Sequence, residues 1–314
     1  MAITGIFSIT YATNDLASGI RFHSDLGLQL VQSEQESADF ELPDGSRVLL
    51  RGLASPDLPP AYGESDCGVR EVCWAVDSEA SLFKLAGDVA RDRELRFNGT
   101  TECSFLDDAG LSVRLRVSSL KPIAAEPDPT NAPGRVDRLN QLRRWYERAT
   151  PQQMQHIVFC APKPREAARF YVERLGFSIS DIQEEGGVFL RAPGNTQHHN
   201  LYWQRADEHA FRHVSYGVAN VDEIMAGAAF MARQGVTSHL GLGRHRISST
   251  FFYYLPNPCG GDAEYSTDSD CLDEQWQPRV WGRAFGHIWW LAQVRAQEPA
   301  PRMRLANAED LKLA

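Results

Sequence analysis

His156-Ile157-Val158-Phe159, then Pro164, then Leu175-Gly176-Phe177 is the stretch on which the fold turns. The first four residues read as a short apolar strand. Pro164 stands where a helix opens, a place where its missing N–H costs nothing because the first turn has no partner for it. Gly176 follows the last apolar residue of that helix and suits a left-handed C-cap. The same order occurs near the start of the chain. Phe7-Ser8-Ile9-Thr10-Tyr11 alternates as a strand, Asn14-Asp15 offers a helix cap, and Leu26-Gly27-Leu28 closes the helix. Placing Leu26-Gly27 on Leu175-Gly176 sets Phe7 opposite His156.

Two further pairs carry the repeat along the chain. Glu71-Val72-Cys73-Trp74-Ala75-Val76 resembles His213-Val214-Ser215-Tyr216-Gly217-Val218, and each strand leads into a helix, near Ser78 and near Val221. Asp107-Asp108-Ala109-Gly110 matches Asn257-Pro258-Cys259-Gly260, a turn before a last strand, and sets Arg114 opposite Glu264. The expected fold class is α+β, with two tandem domains that each pair two βαβββ modules. The expected boundaries are 1–120, a linker and helix over 121–150, a second domain over 151–270 and a tail over 271–314. The linker is rich in proline (Pro122, Pro127, Pro129, Pro133), and a helix is expected from Val136 to Arg148. The tail holds Trp276, Trp281, Trp289 and Trp290; it is expected to cover the second domain or reach a neighbouring subunit, with its last dozen residues loose.

Composition narrows the function. The chain has 314 residues, 43% hydrophobic and 23% charged, which reads as a soluble globular protein. No stretch approaches the roughly 20 apolar residues that a membrane span needs. Met1-Ala2-Ile3-Thr4-Gly5 has no secretory character, so a cytoplasmic location is expected. The net charge of -9 comes without a Lys/Arg cluster, which argues against nucleic acid and for a small-molecule partner. The six cysteines form no CxxC pair and read as reduced thiols rather than zinc ligands.

Histidine is distributed unevenly. Of nine, only His23 precedes residue 155; the others are His156, His198, His199, His209, His213, His239, His245 and His287. In a duplicated scaffold this places the chemistry in the second copy. His156, His213 and Glu264 fall at equivalent strand starts, and their first-half counterparts are Phe7, Glu71 and Arg114. Each alone would be an ordinary strand residue. Together they offer two imidazoles and one carboxylate, the set that binds non-haem iron on one face and leaves positions open for substrate and dioxygen. Glu71 and Arg114 are expected to form an ion pair where the first half lacks a metal. His23, His209 and His239 are expected on the surface, and nothing in the pattern assigns His287.

The stretch from Gly243-Arg244-His245 through Phe252-Tyr253-Tyr254 and Asn257-Pro258-Cys259-Gly260 to Glu264 resembles the signature of the type I extradiol ring-cleaving dioxygenases, in the vicinal oxygen chelate superfamily. The resemblance covers about 150 to 270; over the first half it rests on the repeat. Tyr253 departs from the aliphatic residue or Phe usual at its position. The resemblance implies metal ligands His156, His213 and Glu264, with Fe(II) as the ion and Mn(II) as a substitute. It also implies His198 as acid/base beside dioxygen, and His245 and Tyr254 on substrate oxygens. Alternation turns only one of His198 and His199 inward; spacing to His213 favours His198 and leaves His199 exposed. The implied reaction is cleavage of a catechol by dioxygen to a muconic semialdehyde-type acid, by a homo-oligomer.

A glyoxalase-like isomerase, lyase or thiol transferase on the same scaffold is the alternative, and a non-catalytic binding protein a third. The catechol is left open as monocyclic, bicyclic or carboxylated. A carboxylated one would call for Arg244, Arg246 or Arg279 in the pocket, with Phe189, Tyr202 and Tyr216 as candidate walls.

Overall fold

In the computed structural model, the described residues are 2–124, 126–282, 289–290 and 303–313. The first module runs β1 (Ile3–Thr13), α1 (Leu16–Leu26), β2 (Gln29–Ser33), β3 (Ser37–Glu41) and β4 (Arg47–Gly52). The second is β5 (Gly68–Val76), α2 (Glu79–Val89), β6 (Arg96–Asn98), β7 (Glu102–Leu106) and β8 (Ser112–Val117). The second half repeats the order: β9 (Gln153–Ala161), α3 (Pro164–Leu175), β10 (Ser178–Gln183), β11 (Gly187–Arg191) and β12 (Leu201–Arg205), then β13 (Ala210–Gly217), α4 (Val221–Arg233), β14 (Leu240–Arg244), β15 (Phe251–Pro256) and β16 (Asp262–Thr267). Tail strands β17 (Arg279–Trp281), β18 (Trp289–Trp290) and β19 (Met303–Leu305) follow. No helix among the described residues is long and apolar enough to cross a membrane.

Local chemistry explains the helix ends. Asp15 Oδ1 accepts from Ser18 N, Ser78 and Asn220 cap α2 and α4 in the same way, and Gly27 and Gly176 take the left-handed C-cap at φ of 110° and 75°. Gly19, Phe22, His23 and Leu26 form the buried stripe of α1 at helical spacing.

Each half is one sheet in which two modules meet edge to edge. The orders are β2-β3-β4-β1-β5-β8-β7-β6 and β18-β14-β15-β16-β13-β9-β12-β11-β10-β17-β19. In one, β1 and β5 are antiparallel and β5 and β8 parallel; β9, β13 and β16 repeat this. Glu71 pairs with Ser112 and Cys73 with Arg114, as His213 pairs with Asp262 and Ser215 with Glu264. The matches of Glu71 to His213 and of Arg114 to Glu264 therefore hold.

The match of Phe7 to His156 does not. His156 pairs with Ser215, and the counterpart of Ser215, Cys73, pairs with Ser8. Helix α1 has 11 residues and α3 has 12, so counting back from the closing glycines slips by one. Buried Ser8 stands where His156 does, while Phe7 packs under the Arg116 guanidinium.

The Glu71–Arg114 pair forms and is larger than expected. Arg114 Nε donates to Glu71 Oε1 at 3.0 Å and Nη1 to Glu102 Oε1 at 2.6 Å, while Ser112 Oγ donates to Glu71 Oε2 at 3.0 Å. Both glutamates are buried. Arg114→Met would leave buried Glu71 without its cation and Glu102 with only Arg116 Nη1 at 3.5 Å, so urea unfolding should show a loss of about 3 kcal/mol. An unchanged midpoint would mean that the network does not stabilise the fold.

Three expectations are corrected. No helix forms between Val136 and Arg148. Asn140 takes a positive φ, Asn131 Oδ1 accepts from the N–H groups of Asp137 and Arg138, and Val136, Leu139, Leu142 and Trp145 are exposed. A short helix with no partner for its apolar face is not stable by itself. His23 is fully buried rather than solvent-facing. Its Nδ1 bonds to Gly19 O at 2.9 Å, its ring packs against Tyr11, Phe22 and Phe40, and burial pushes its pKa down to about 4. The chain end is docked, not loose: Arg165 Nη1 donates to the carbonyls of Asp310 and Lys312, and Leu313 is buried. The tail joins the second sheet at both of its edges, since β17 pairs with β10, β19 with β17 and β18 with β14.

Candidate metal centre

The centre lies on the three adjacent strands β9, β13 and β16. Ser215 of β13 is the register partner of His156 on β9 and of Glu264 on β16. His213 stands two residues before Ser215, and alternation puts it on the same face. The side chains converge as a result. His156 Nε2 is 3.3 Å from His213 Nε2 and 3.1 Å from Glu264 Oε2, and His213 Nε2 is 3.5 Å from the same oxygen. One ligand atom from each of the three lies within 4.8 Å of the others.

The residues fit a cation better than they fit one another. Glu264 has no exposed surface, and neither of its carboxylate oxygens has a hydrogen-bond partner despite the nearby imidazoles. A buried anion left in that state is costly unless a positive charge meets it. Burial by itself would raise the Glu264 carboxyl, but His156, His245 and His213 hold it well below the usual range. Burial pushes His213 down to about 3 against the pull of Glu264. His213 therefore presents a lone pair and Glu264 a full charge at neutral pH, the protonation states that a divalent ion requires.

A cavity of about 120 Å³ opens over the ligands. Its apolar walls are Val158, Phe189, Tyr202, Leu240 and Ile247. Phe189 and Tyr202 stack at 3.9 Å and 6°, and the Tyr202 hydroxyl donates to Gln183 Oε1 at 2.8 Å. Phe189 and Tyr202 are thus walls as expected. Tyr216 is not; its side chain is buried in the core and it is absent from the lining.

His245 and Tyr254 reach the cavity together. Tyr254 is paired with Glu264 across β15 and β16, so the turn at Asn257 places them side by side as its Pro/Gly composition suggested. His245 Nε2 lies 3.2 Å from the Tyr254 hydroxyl and 3.7 Å from Glu264 Oε1, with its ring stacked on Phe252 at 4.2 Å. Burial and the Glu264 charge raise the Tyr254 phenol well above its ordinary value, so it stays protonated.

The expectation for His198 and His199 is reversed. His199 lines the cavity, with its ring 4.1 Å from that of His156 and 4.9 Å from Phe189. His198 is buried and turns the other way, its Nε2 3.3 Å from Asp181 Oδ2. The reason is local. Residues 198–200 lie between β11 and β12, outside any strand, so strand alternation does not apply to them.

The arginines also differ from expectation. Arg244 pairs with Asp268 at 2.7 Å, Arg279 lies over Trp276, and neither they nor Arg246 line the cavity. Arg212 does, with Nη1 3.0 Å from Asp262 Oδ2. Its adjacency to His213 was the only signal for it in the sequence. His239 is exposed as expected, whereas His209 is half-buried against the Tyr62 hydroxyl. His287 lies outside the described residues.

Known proteins share this arrangement of strands. Residues 153–265 match the model of the Glyoxalase/Bleomycin resistance protein/Dioxygenase superfamily. Metapyrocatechase 2 of Cupriavidus necator is 30% identical over 226 residues, which are 64% of this chain and 69% of that protein. Among solved structures, BphC, a halotolerant catechol dioxygenase, superposes with a TM-score of 0.73 at 18% identity over 97% of this chain and 99% of that one. The Mn(II)-bound glyoxalase from Novosphingobium aromaticivorans gives 0.71 at 22% identity, covering 90% of this chain and 88% of that one. These last two show the vicinal oxygen chelate fold, and the curated relative narrows the family: the chain belongs to the type I extradiol ring-cleaving dioxygenases of that superfamily.

Proposed function

We propose that His156, His213 and Glu264 hold Fe(II), and that the enzyme opens a catechol ring beside its diol with dioxygen to give a muconic semialdehyde-type acid. The observation that carries this reading is a buried carboxylate without a donor, flanked by two imidazoles, at the base of a small aromatic-walled cavity. Bound there, the ion would supply a Lewis acid and a one-electron partner for both catechol and dioxygen. The donor set also accepts Mn(II). Residues 1–120, with Ser8, Glu71 and Arg114 at the corresponding positions, act as scaffold, and residues 151–270 form the catalytic domain.

The protein's own groups perform the rest. The Phe189–Tyr202 slab, with Val158 and Ile247, packs against a planar ring and excludes water. The Tyr254 hydroxyl and His245 Nε2 orient the substrate hydroxyl, and Tyr254 donates to the oxygen on which charge develops. His199 takes a proton from the diol and returns it to the product, a task suited to an imidazole. Arg212 is already compensated by Asp262, which favours an uncharged catechol over a carboxylated one.

Oxygen uptake by anaerobically iron-loaded protein tests this. Catechol and its alkyl or aryl derivatives should give one dioxygen consumed per ring and a yellow product, and protocatechuate should be the poorer substrate. No uptake across the panel, with one iron bound per chain, would favour the glyoxalase-like isomerase or transferase reading.

A further inference from the structure

His198 and Asp181 belong neither to the ligand set nor to the cavity wall, yet each is only 1% exposed. Their hydrogen bonds form a directed chain. Asp181, on β10, is pinned by the tail: Oδ1 accepts from Arg279 N at 2.8 Å and Oδ2 from Trp281 Nε1 at 2.7 Å. His198 Nε2 lies 3.3 Å from the same Oδ2, and His198 Nδ1 lies 3.0 Å from His199 Nδ1. An ionised carboxylate only accepts, so His198 Nε2 carries its proton. Where that is the ring's one proton, His198 Nδ1 accepts and the facing Nδ1 of His199 donates, whereas a doubly protonated His198 would reverse the bond. The neutral His198 leaves Nε2 of His199 bare on the other edge of a ring that lines the cavity.

We propose that Asp181 and His198 are positioning residues that lock His199 in its Nδ1–H form, so that its Nε2 meets the substrate as a proton acceptor. The inference rests on the reading of His199 as the proton-handling group. It gives the tail a function, because β17 supplies both groups that fix Asp181. Carboxylates that orient an imidazole through its far nitrogen serve metal ligands and catalytic bases in the same way. Here a second imidazole is inserted between the carboxylate and the base.

The test reads the tautomer directly. In the full chain with histidine-specific ¹⁵N labelling and Zn(II) as a diamagnetic ion, proton–nitrogen correlation spectra should show His199 with Nδ1 protonated and Nε2 bare; His199→Phe assigns the signal. Asp181→Asn should move His199 toward the Nε2–H form and lower kcat by about tenfold to a hundredfold, with little change in the KM for catechol. His198→Leu should do the same. His198→Asn, whose amide oxygen can take the place of Nδ1, should recover most of that loss. This pair carries the test if Asp181→Asn fails to fold.

A wild-type His199 protonated at Nε2 would overturn the proposal. So would wild-type tautomer and kcat in both Asp181→Asn and His198→Leu. If His199→Phe is slow and these two are not, the relay falls and the site reading stands. If His199→Phe itself turns over normally, the site reading falls.

Discussion

His213→Ala protein should fold, retain almost no iron through gel filtration and show no measurable ring cleavage. The side chain supplies one of three ligands whose donor atoms lie within 4.8 Å of one another, and it comes from β13, the strand between those of His156 and Glu264, so the two that remain do not close the face. Burial holds His213 near a pKa of 3, so no proton competes for its nitrogen at neutral pH. Its loss is therefore a loss of affinity at every working pH. Ligand-supporting residues one bond further out already alter metal affinity by about 10- to 100-fold, and a direct ligand should exceed that. The fold should hold because His213 borders the cavity and not the large apolar core, which runs through both halves. Metal content per chain, melting temperature and oxygen uptake give the three readings. Stoichiometric iron and wild-type turnover in this variant would remove the ligand assignment.

His199→Phe separates metal binding from chemistry. Phenylalanine keeps the ring contacts with His156 and Phe189 but has no nitrogen to handle a proton. Iron content should stay near one per chain while kcat drops by about 10²- to 10⁴-fold, the usual contribution of a positioned acid–base group. Stability should fall by about 1–3 kcal/mol, because His198 Nδ1 loses its buried partner. The same replacement at His198 should cost less activity, since that ring does not reach the cavity. The opposite ranking would restore His198 as the acid–base residue.

Much of the fold was legible because its signals are local. Helix caps at Asp15, Ser78 and Asn220, and closing glycines at Gly27 and Gly176, specify ends within a few residues of themselves. The turn at Asn257 sets Tyr254 against Glu264 by register alone. The helix expected at Val136–Arg148 had composition in its favour but no surface to pack on, and packing decides short helices.

The sequence by itself determined the duplication, the order of the elements, the asymmetry of histidine between the halves, and His156, His213 and Glu264 as a group. These follow from periodicity and from strand pairing, which repeat along the chain and can be counted. Tertiary structure alone decided that Ser8 and not Phe7 stands in place of His156, that His23 is buried beneath three aromatic rings, and that His199 and not His198 faces the cavity. It alone brought Asp181 to His198, and Trp281 and the backbone of Arg279 to Asp181. The physical reason is common to these cases. A one-residue difference in helix length, an irregular segment between two strands, and hydrogen bonds to a tail some hundred residues away set side-chain direction through packing, and no local period in the chain encodes them.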